Sequence, residues 1–195
     1  MGCDIHTVLI ARKKSGSTYI PINVTVEYGN GIKRNAEVPG YFRNYSTFGY
    51  LAYGVRGCGD EEISIPVKGR FEPDRLEASN EVNSFANDEV AAYYNDKYLH
   101  THSYITRAEF YKLVDDVEKK YKKIKKQSKN KTDPDCYDYL DWAIELKGCR
   151  NTLRTMLTEI EYVIDQASLA GFMVDKDNDT RIDETDWILL ISFDS

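Results

Sequence analysis

The chain is expected to fold as a single α+β domain over residues 1–195, with a small sheet that includes its N- and C-terminal strands and a protruding helical hairpin at about 106–170. Three observations predict this. Residues 4–11 (D-I-H-T-V-L-I-A) are apolar and β-branched, as a central strand requires, and Trp187 to Phe193 has the same character at the other end. Two long segments between them repeat apolar residues at three- and four-residue spacing, the signature of amphipathic helices. Strands at the ends with helices grouped between them make an α+β pattern rather than an alternating one.

After the first strand, Lys13-Lys14-Ser15-Gly16-Ser17 reads as a turn, and Tyr19 to Tyr28 alternates well enough for a partner strand. Gly29-Asn30-Gly31 is a second turn. Phe48, Leu51, Ala52 and Val55 then predict a short helix that ends at Gly57-Cys58-Gly59. Residues 60–80 are charged and proline-marked, as a surface excursion would be, and Glu81 to Tyr98 is expected to be helical. Thr106-Arg107-Ala108-Glu109 has capping-box spacing and starts the next helix. That helix runs through Phe110, Leu113 and Val117 into a stretch of eight lysines between Glu118 and Lys131. Thr132-Asp133-Pro134-Asp135 breaks it, and a second long helix is expected from Cys136 to Ala170. The lysine run reads as a solvated helix end.

With 30% charged and 42% hydrophobic residues the composition is that of a soluble globular protein. The net charge of -6 argues against general nucleic-acid binding. No apolar run approaches the roughly 18 residues of a membrane span. Cys3, Cys58, Cys136 and Cys149 form no C-x-x-C pair, and no stretch reads as a signal peptide, so reduced thiols and a cytoplasmic location are expected. The Met-Gly-Cys start lacks the Ser or Thr that myristoylation wants, because His6 stands there.

All three histidines fall in two short motifs, Asp4-Ile5-His6 and His100-Thr101-His102. Residues two apart on an extended strand share a face, so each pair would project together. Asp4, His6, His100 and His102 are therefore the candidate catalytic set. Arg43, Asn44, Tyr45, Arg56, Ser103 and Tyr104 are candidate ligand contacts, since arginines fork onto phosphate and tyrosines stack or donate. Histidine, arginine, aspartate and aromatic side chains together suit a small, nucleotide-like ligand.

Three chemistries stay open. The Asp and His residues could hold a divalent transition metal such as zinc or manganese that activates water. One imidazole could instead be a general base and another a general acid, with arginines stabilising charge on phosphorus. The same groups could also bind an anion without turning it over. Cys3 is a poor nucleophile partner for His6, because their side chains would point oppositely on a strand. No P-loop, dinucleotide fingerprint or nucleophile elbow is present.

A second acidic motif precedes the last strand. Asp175, Asp177, Asp179, Asp183 and Asp186 match calcium-loop positions one, three, five, nine and twelve, with Thr180 where glycine is usual and Asp186 where a bidentate Glu is usual. These five carboxylates are a candidate calcium site; the other reading is an acidic turn joining helix to strand.

Gly2-Cys3-Asp4-Ile5-His6, the block from Arg43-Asn44-Tyr45 through Phe48, Leu51, Ala52, Val55, Arg56 and Gly57, and His100-Thr101-His102-Ser103-Tyr104-Ile105-Thr106 resemble a family of uncharacterised bacteriophage proteins. The closing Phe193-Asp194 is similar too. The resemblance covers about a third of the chain, and Tyr104 stands where that family more often has Trp. It implies a phage accessory protein and no particular reaction. By analogy with accessory proteins that counter host defences, the expected activity is recognition, leaning to phosphodiesterase-like hydrolysis, of a small cyclic or ADP-ribose-derived nucleotide in the host cytosol. The alternatives are a non-enzymatic nucleotide sponge, expected to be a homo-oligomer, and an inhibitor that docks on a host defence enzyme.

Overall fold

A computed structural model describes residues 5–14, 19–22, 25–27, 33–35, 45–55, 59–70, 97, 99–130, 135–174 and 182–194. They divide into two compact units. The first comprises Met1–Arg43, Val67–Arg107 and Thr158–Ser195, and the second Asn44–Pro66 and Ala108–Leu157. Strands and helices together bear out the α+β expectation.

The first unit is built on a four-stranded antiparallel sheet. Its strands are β1 (Ile5–Lys13), β2 (Tyr19–Pro21), β5 (Leu99–Thr106) and β6 (Ile182–Asp194), in the order β2-β1-β6-β5. The terminal strands lie side by side, with Ile5 opposite Phe193 and Leu9 opposite Leu189. Cross-strand partners share a face, so the register sorts the sheet into two sides. Ile5, Leu9, Ala11, Trp187, Leu189, Ile191, Phe193 and Ile105 make one side, all buried, and this is the core of the unit. On the opposite side Ile10, Ile188 and Leu190 form a smaller apolar cluster, with Val8, Tyr19 and Tyr104 packed against it.

The expected partner strand Tyr19 to Tyr28 is two strands. β2 ends at Pro21, and the N–H of the next residue, Ile22, still donates to the Leu9 carbonyl at 2.8 Å. β3 (Thr25–Glu27) instead pairs with β4 (Lys33–Asn35) in a separate antiparallel ribbon, across the expected Gly29-Asn30-Gly31 turn. That turn and, apart from Lys97, the expected helix at Glu81 to Tyr98 lie outside the described residues.

The last strand begins at Ile182 rather than Trp187. Its ladder with β1 is interrupted, since Ala11 faces Trp187 but Lys13 faces Ile182. Arg12 sits at this interruption. Its guanidinium is 2.5 Å from Asp183 and 2.5 Å from Asp186, and the Tyr19 hydroxyl donates to Asp186 at 2.8 Å. One guanidinium bridges two carboxylates where the chain bulges.

The second unit contains α1 (Tyr45–Leu51), α2 (Arg107–Gln127) and most of α3 (Cys136–Val174), whose last stretch belongs to the first unit. α2 starts directly after Thr106, as the capping-box spacing predicts. It buries Phe110, Leu113, Val117, Tyr121 and Ile124, and α3 buries Ala143, Leu146, Cys149, Leu153 and Met156 at matching helical spacing. The two are tied by Glu118, 3.3 Å from Arg150 and 3.1 Å from Arg154, and by the Arg150 guanidinium 4.8 Å from the Tyr121 ring centroid. Burial pushes the Cys149 thiol up to about 12. In the surface excursion Ile65 is buried, and it exchanges backbone hydrogen bonds with Tyr50 and Tyr53. The lysines of α2 do form a solvated charged face, with Lys119 2.6 Å from Asp115 and Lys122 3.2 Å from Glu118 one turn away. Among the described residues no helix is long and apolar enough to cross a membrane.

Candidate functional site

The two histidine motifs meet on one face of the first unit's sheet. His6 on β1 stands directly opposite Ser192 on the neighbouring β6. Ser192 in turn shares a hydrogen bond with His102 on β5, its Oγ 2.5 Å from the imidazole Nδ1. The three residues therefore form a row across three adjacent strands. Two strand spacings put the Cα atoms of His6 and His102 about 10 Å apart.

A β-bulge makes this row. His100 pairs with Phe193, but Ser103 pairs with Ile191, so Thr101 and His102 together oppose the single residue Ser192. Thr101 takes up the extra residue with φ 51°, a left-handed conformation unusual for a β-branched side chain. In an unbroken ladder His102 would fall on the core side with Ile191. The bulge turns it to the side of Ser192 and His6.

The same bulge separates the two members of the H-x-H motif. His100 stays in register with Phe193, is exposed, and its Nδ1 lies 2.9 Å from the Thr101 hydroxyl. It is a neighbour of the row rather than part of it. Ser103, expected among the ligand contacts, is fully buried and accepts the Lys68 backbone N–H at 3.1 Å. It anchors the segment around Lys68 to the edge of the sheet. Tyr104 lies on the row's side of the sheet, opposite Leu190, with the Lys68 ammonium 4.4 Å from its ring centroid.

His102 holds its proton less tightly than an ordinary imidazole. Burial is the main cause, and the charges of Arg70 and His100 add to it. The ring is therefore neutral near pH 7, and Ser192 sets its orientation. If Nδ1–H donates to the serine oxygen, Nε2 carries the lone pair of a base. If the serine hydroxyl donates to Nδ1, Nε2–H is a donor suited to a phosphate oxygen. Arg70, Lys68 and Ser192 are parts of this site that motif reading does not find. Arg70 sits in a segment with no motif, and Ser192 is an ordinary strand residue until the pairing is known.

The remaining candidates fall elsewhere. Asp4, Arg43, Asn44, Arg56, Asp175, Asp177 and Asp179 lie outside the described residues. Tyr45 is the first residue of α1, with its side chain outside the described set. Asp183 and Asp186, expected as calcium ligands nine and twelve, are on strand β6, where both carboxylates pair with Arg12. Hydrogen bonds from the Thr185 hydroxyl and backbone N–H, with Arg12, hold the Asp183 carboxyl below the usual carboxylate range. Among the described residues no group of three or more His, Cys, Asp or Glu side chains is gathered to hold a metal ion.

No family model matches the chain, and no curated protein or solved structure matches it either.

Proposed function

We propose that the chain is a phage-type anti-defence protein that recognises a small nucleotide-derived signal at the His6–Ser192–His102 row and hydrolyses a phosphodiester bond in it. The observation that carries this reading is the arrival of two imidazoles on one sheet face from motifs nearly a hundred residues apart in sequence. Two histidines are the minimum set for acid and base acting on opposite sides of one phosphorus.

In the proposed reaction His102, neutral and oriented by Ser192, takes a proton from water as the water oxygen attacks phosphorus. His6, as the general acid, gives a proton to the departing ribose oxygen as the P–O bond breaks. Arg70 balances the negative charge that builds on the phosphoryl oxygens. Tyr104 and Lys68 offer a stacking ring and a cation beside the row for the base and a second phosphate. The resemblance to bacteriophage proteins supports the biological setting, and the site chemistry supports the ligand class.

The test is to incubate purified chain with cyclic dinucleotides, cyclic trinucleotides and cyclic ADP-ribose isomers, then separate the products by chromatography. Linear products that vanish in His102→Ala and His6→Ala support the reaction. Intact ligand recovered after denaturing the protein would make it a sponge. Failure of every ligand to bind would sink the nucleotide reading.

A further inference from the structure

We infer that Ser103 and Gly69 are positioning residues of the candidate site, which rests on reading the His6–Ser192–His102 row as that site. They hold the strap Lys68-Gly69-Arg70 against strand β5, so that Lys68 covers Tyr104 and Arg70 is presented to His102. β5 is an end strand of the four-stranded sheet, and the strap grips it from both faces. Ser103 pairs with Ile191 on the core side, and its hydroxyl accepts the Lys68 backbone N–H at 3.1 Å. Tyr104 alternates to the other side, where the Lys68 ammonium lies 4.4 Å from its ring centroid. Lys68 is thus tied to one face by its main chain and to the other by its side chain.

A serine at this position needs a reason. Its neighbours on the core side, Ile105 and Ile191, are fully buried aliphatic residues, and Ser103 is buried as deeply. A hydroxyl taken out of water costs free energy unless it is hydrogen-bonded, and an aliphatic side chain there would add apolar burial. The bond to Lys68 is what the hydroxyl supplies and a valine could not. Ser192 does the same for His102. Among the described residues the buried polar side chains are Thr47, Ser103 and Ser192, so two of the three adjoin His102, one by sequence and one by hydrogen bond.

Gly69 sets how the chain leaves Lys68. Its φ of 82° is left-handed, and a Cβ at this position would meet nothing within 4 Å. Glycine is therefore needed for its backbone conformation and not for lack of room. Arg70 follows at once and is exposed, so its placement depends on the two residues before it. Among the described residues the charges that act on His102 are Arg70 and, on its own strand, His100, while His6 on β1 lies beyond Ser192.

The experiment is NMR on the full chain without added ligand. The ring current of Tyr104 shifts the Lys68 ε-methylene signal upfield, which reports the grip, and the His102 imidazole titration reports Arg70. Ser103→Ala should remove the upfield shift and raise the His102 titration towards its value in Arg70→Ala. The double variant should move His102 no further than Arg70→Ala alone, because both changes act through one residue. Gly69→Ala strains the strap without crowding it and should act in the same direction. Gly69→Asn, which tolerates a positive φ, should stay near the parent protein. Circular dichroism checks the fold of each variant, and the Gly69 pair carries the test if Ser103→Ala does not fold. Lys68 and His102 signals unmoved by Ser103→Ala and Gly69→Ala overturn the inference. A further His102 shift in the double variant overturns it too, since Ser103 would then act by another route. Both signals are read without a nucleotide, so they decide the positioning role separately from whether the row turns any ligand over.

Discussion

The imidazole of His102 and the hydroxyl of Ser192, ninety positions apart in the sequence, lie 2.5 Å apart across adjacent strands β5 and β6. Ser192 is fully buried, so its hydroxyl holds a fixed position, and the ring it contacts is fixed with it. Ser192→Ala removes that restraint while leaving the strand intact. The loss of one largely buried hydrogen bond should lower stability by about 1 kcal/mol. If His102 is the base, kcat should fall about tenfold with KM nearly unchanged, because orientation rather than ligand contact is lost. Steady-state kinetics beside urea denaturation separates the two effects. An unchanged kcat would leave Ser192 with packing alone.

The pH dependence follows from the depressed affinity of His102 for its proton. In the folded chain its pKa lies below the unfolded value of about 6.5, so between the two values the unfolded chain binds more protons. Its contribution to stability is complete above about pH 6.5 and declines as pH falls through the folded value. Arg70→Ala removes one positive neighbour. The His102 titration should then move up, and the acid limb of activity should move to higher pH with it. NMR titration of the imidazole in both proteins reads this directly, and an unmoved His102 signal would contradict the role given to Arg70.

Thr101 gives a test of the bulge. Its φ of 51° costs a β-branched residue strain that glycine would not feel. Thr101→Gly relieves it but frees the unfolded chain, so stability should stay within about 1 kcal/mol of the parent protein. Thr101→Pro cannot adopt a positive φ and should destabilise by more than about 1 kcal/mol. The His102–Ser192 contact should survive in the first variant and be lost in the second. Thermal melts and the His102 NMR signal check both halves.

The core prediction concerns Leu189. It is fully buried in β6 between Leu9 on β1 and Ile105 on β5, both also buried. Leu189→Ala should lower unfolding free energy by about 2–5 kcal/mol, the spread reflecting how far the neighbours can close the cavity. Chemical denaturation measures it. A loss under about 1 kcal/mol would mean that β1, β6 and β5 do not share this core.

Local chemistry made several elements readable before any fold was known. Ile5 to Ala11 and Trp187 to Phe193 are strands because β-branched and apolar residues suit a pleated surface buried on both sides. Thr106 and Glu109 place the start of α2, and the apolar spacing from Phe110 onward keeps it helical. The site was legible only as two histidine motifs. Register, bulge and side were not, because each depends on which distant strand supplies the partner. One extra residue at Thr101 sends His102 towards Ser192 and leaves His100 opposite Phe193. Asp183 and Asp186 show the same limit: nothing in their spacing announces Arg12, a strand away in space and about 170 residues away in sequence, whose guanidinium reaches both carboxylates. Composition and periodicity act over a few residues and settle helix against strand. Long-range pairing decides which side chains meet, and here it decided what the histidines can do.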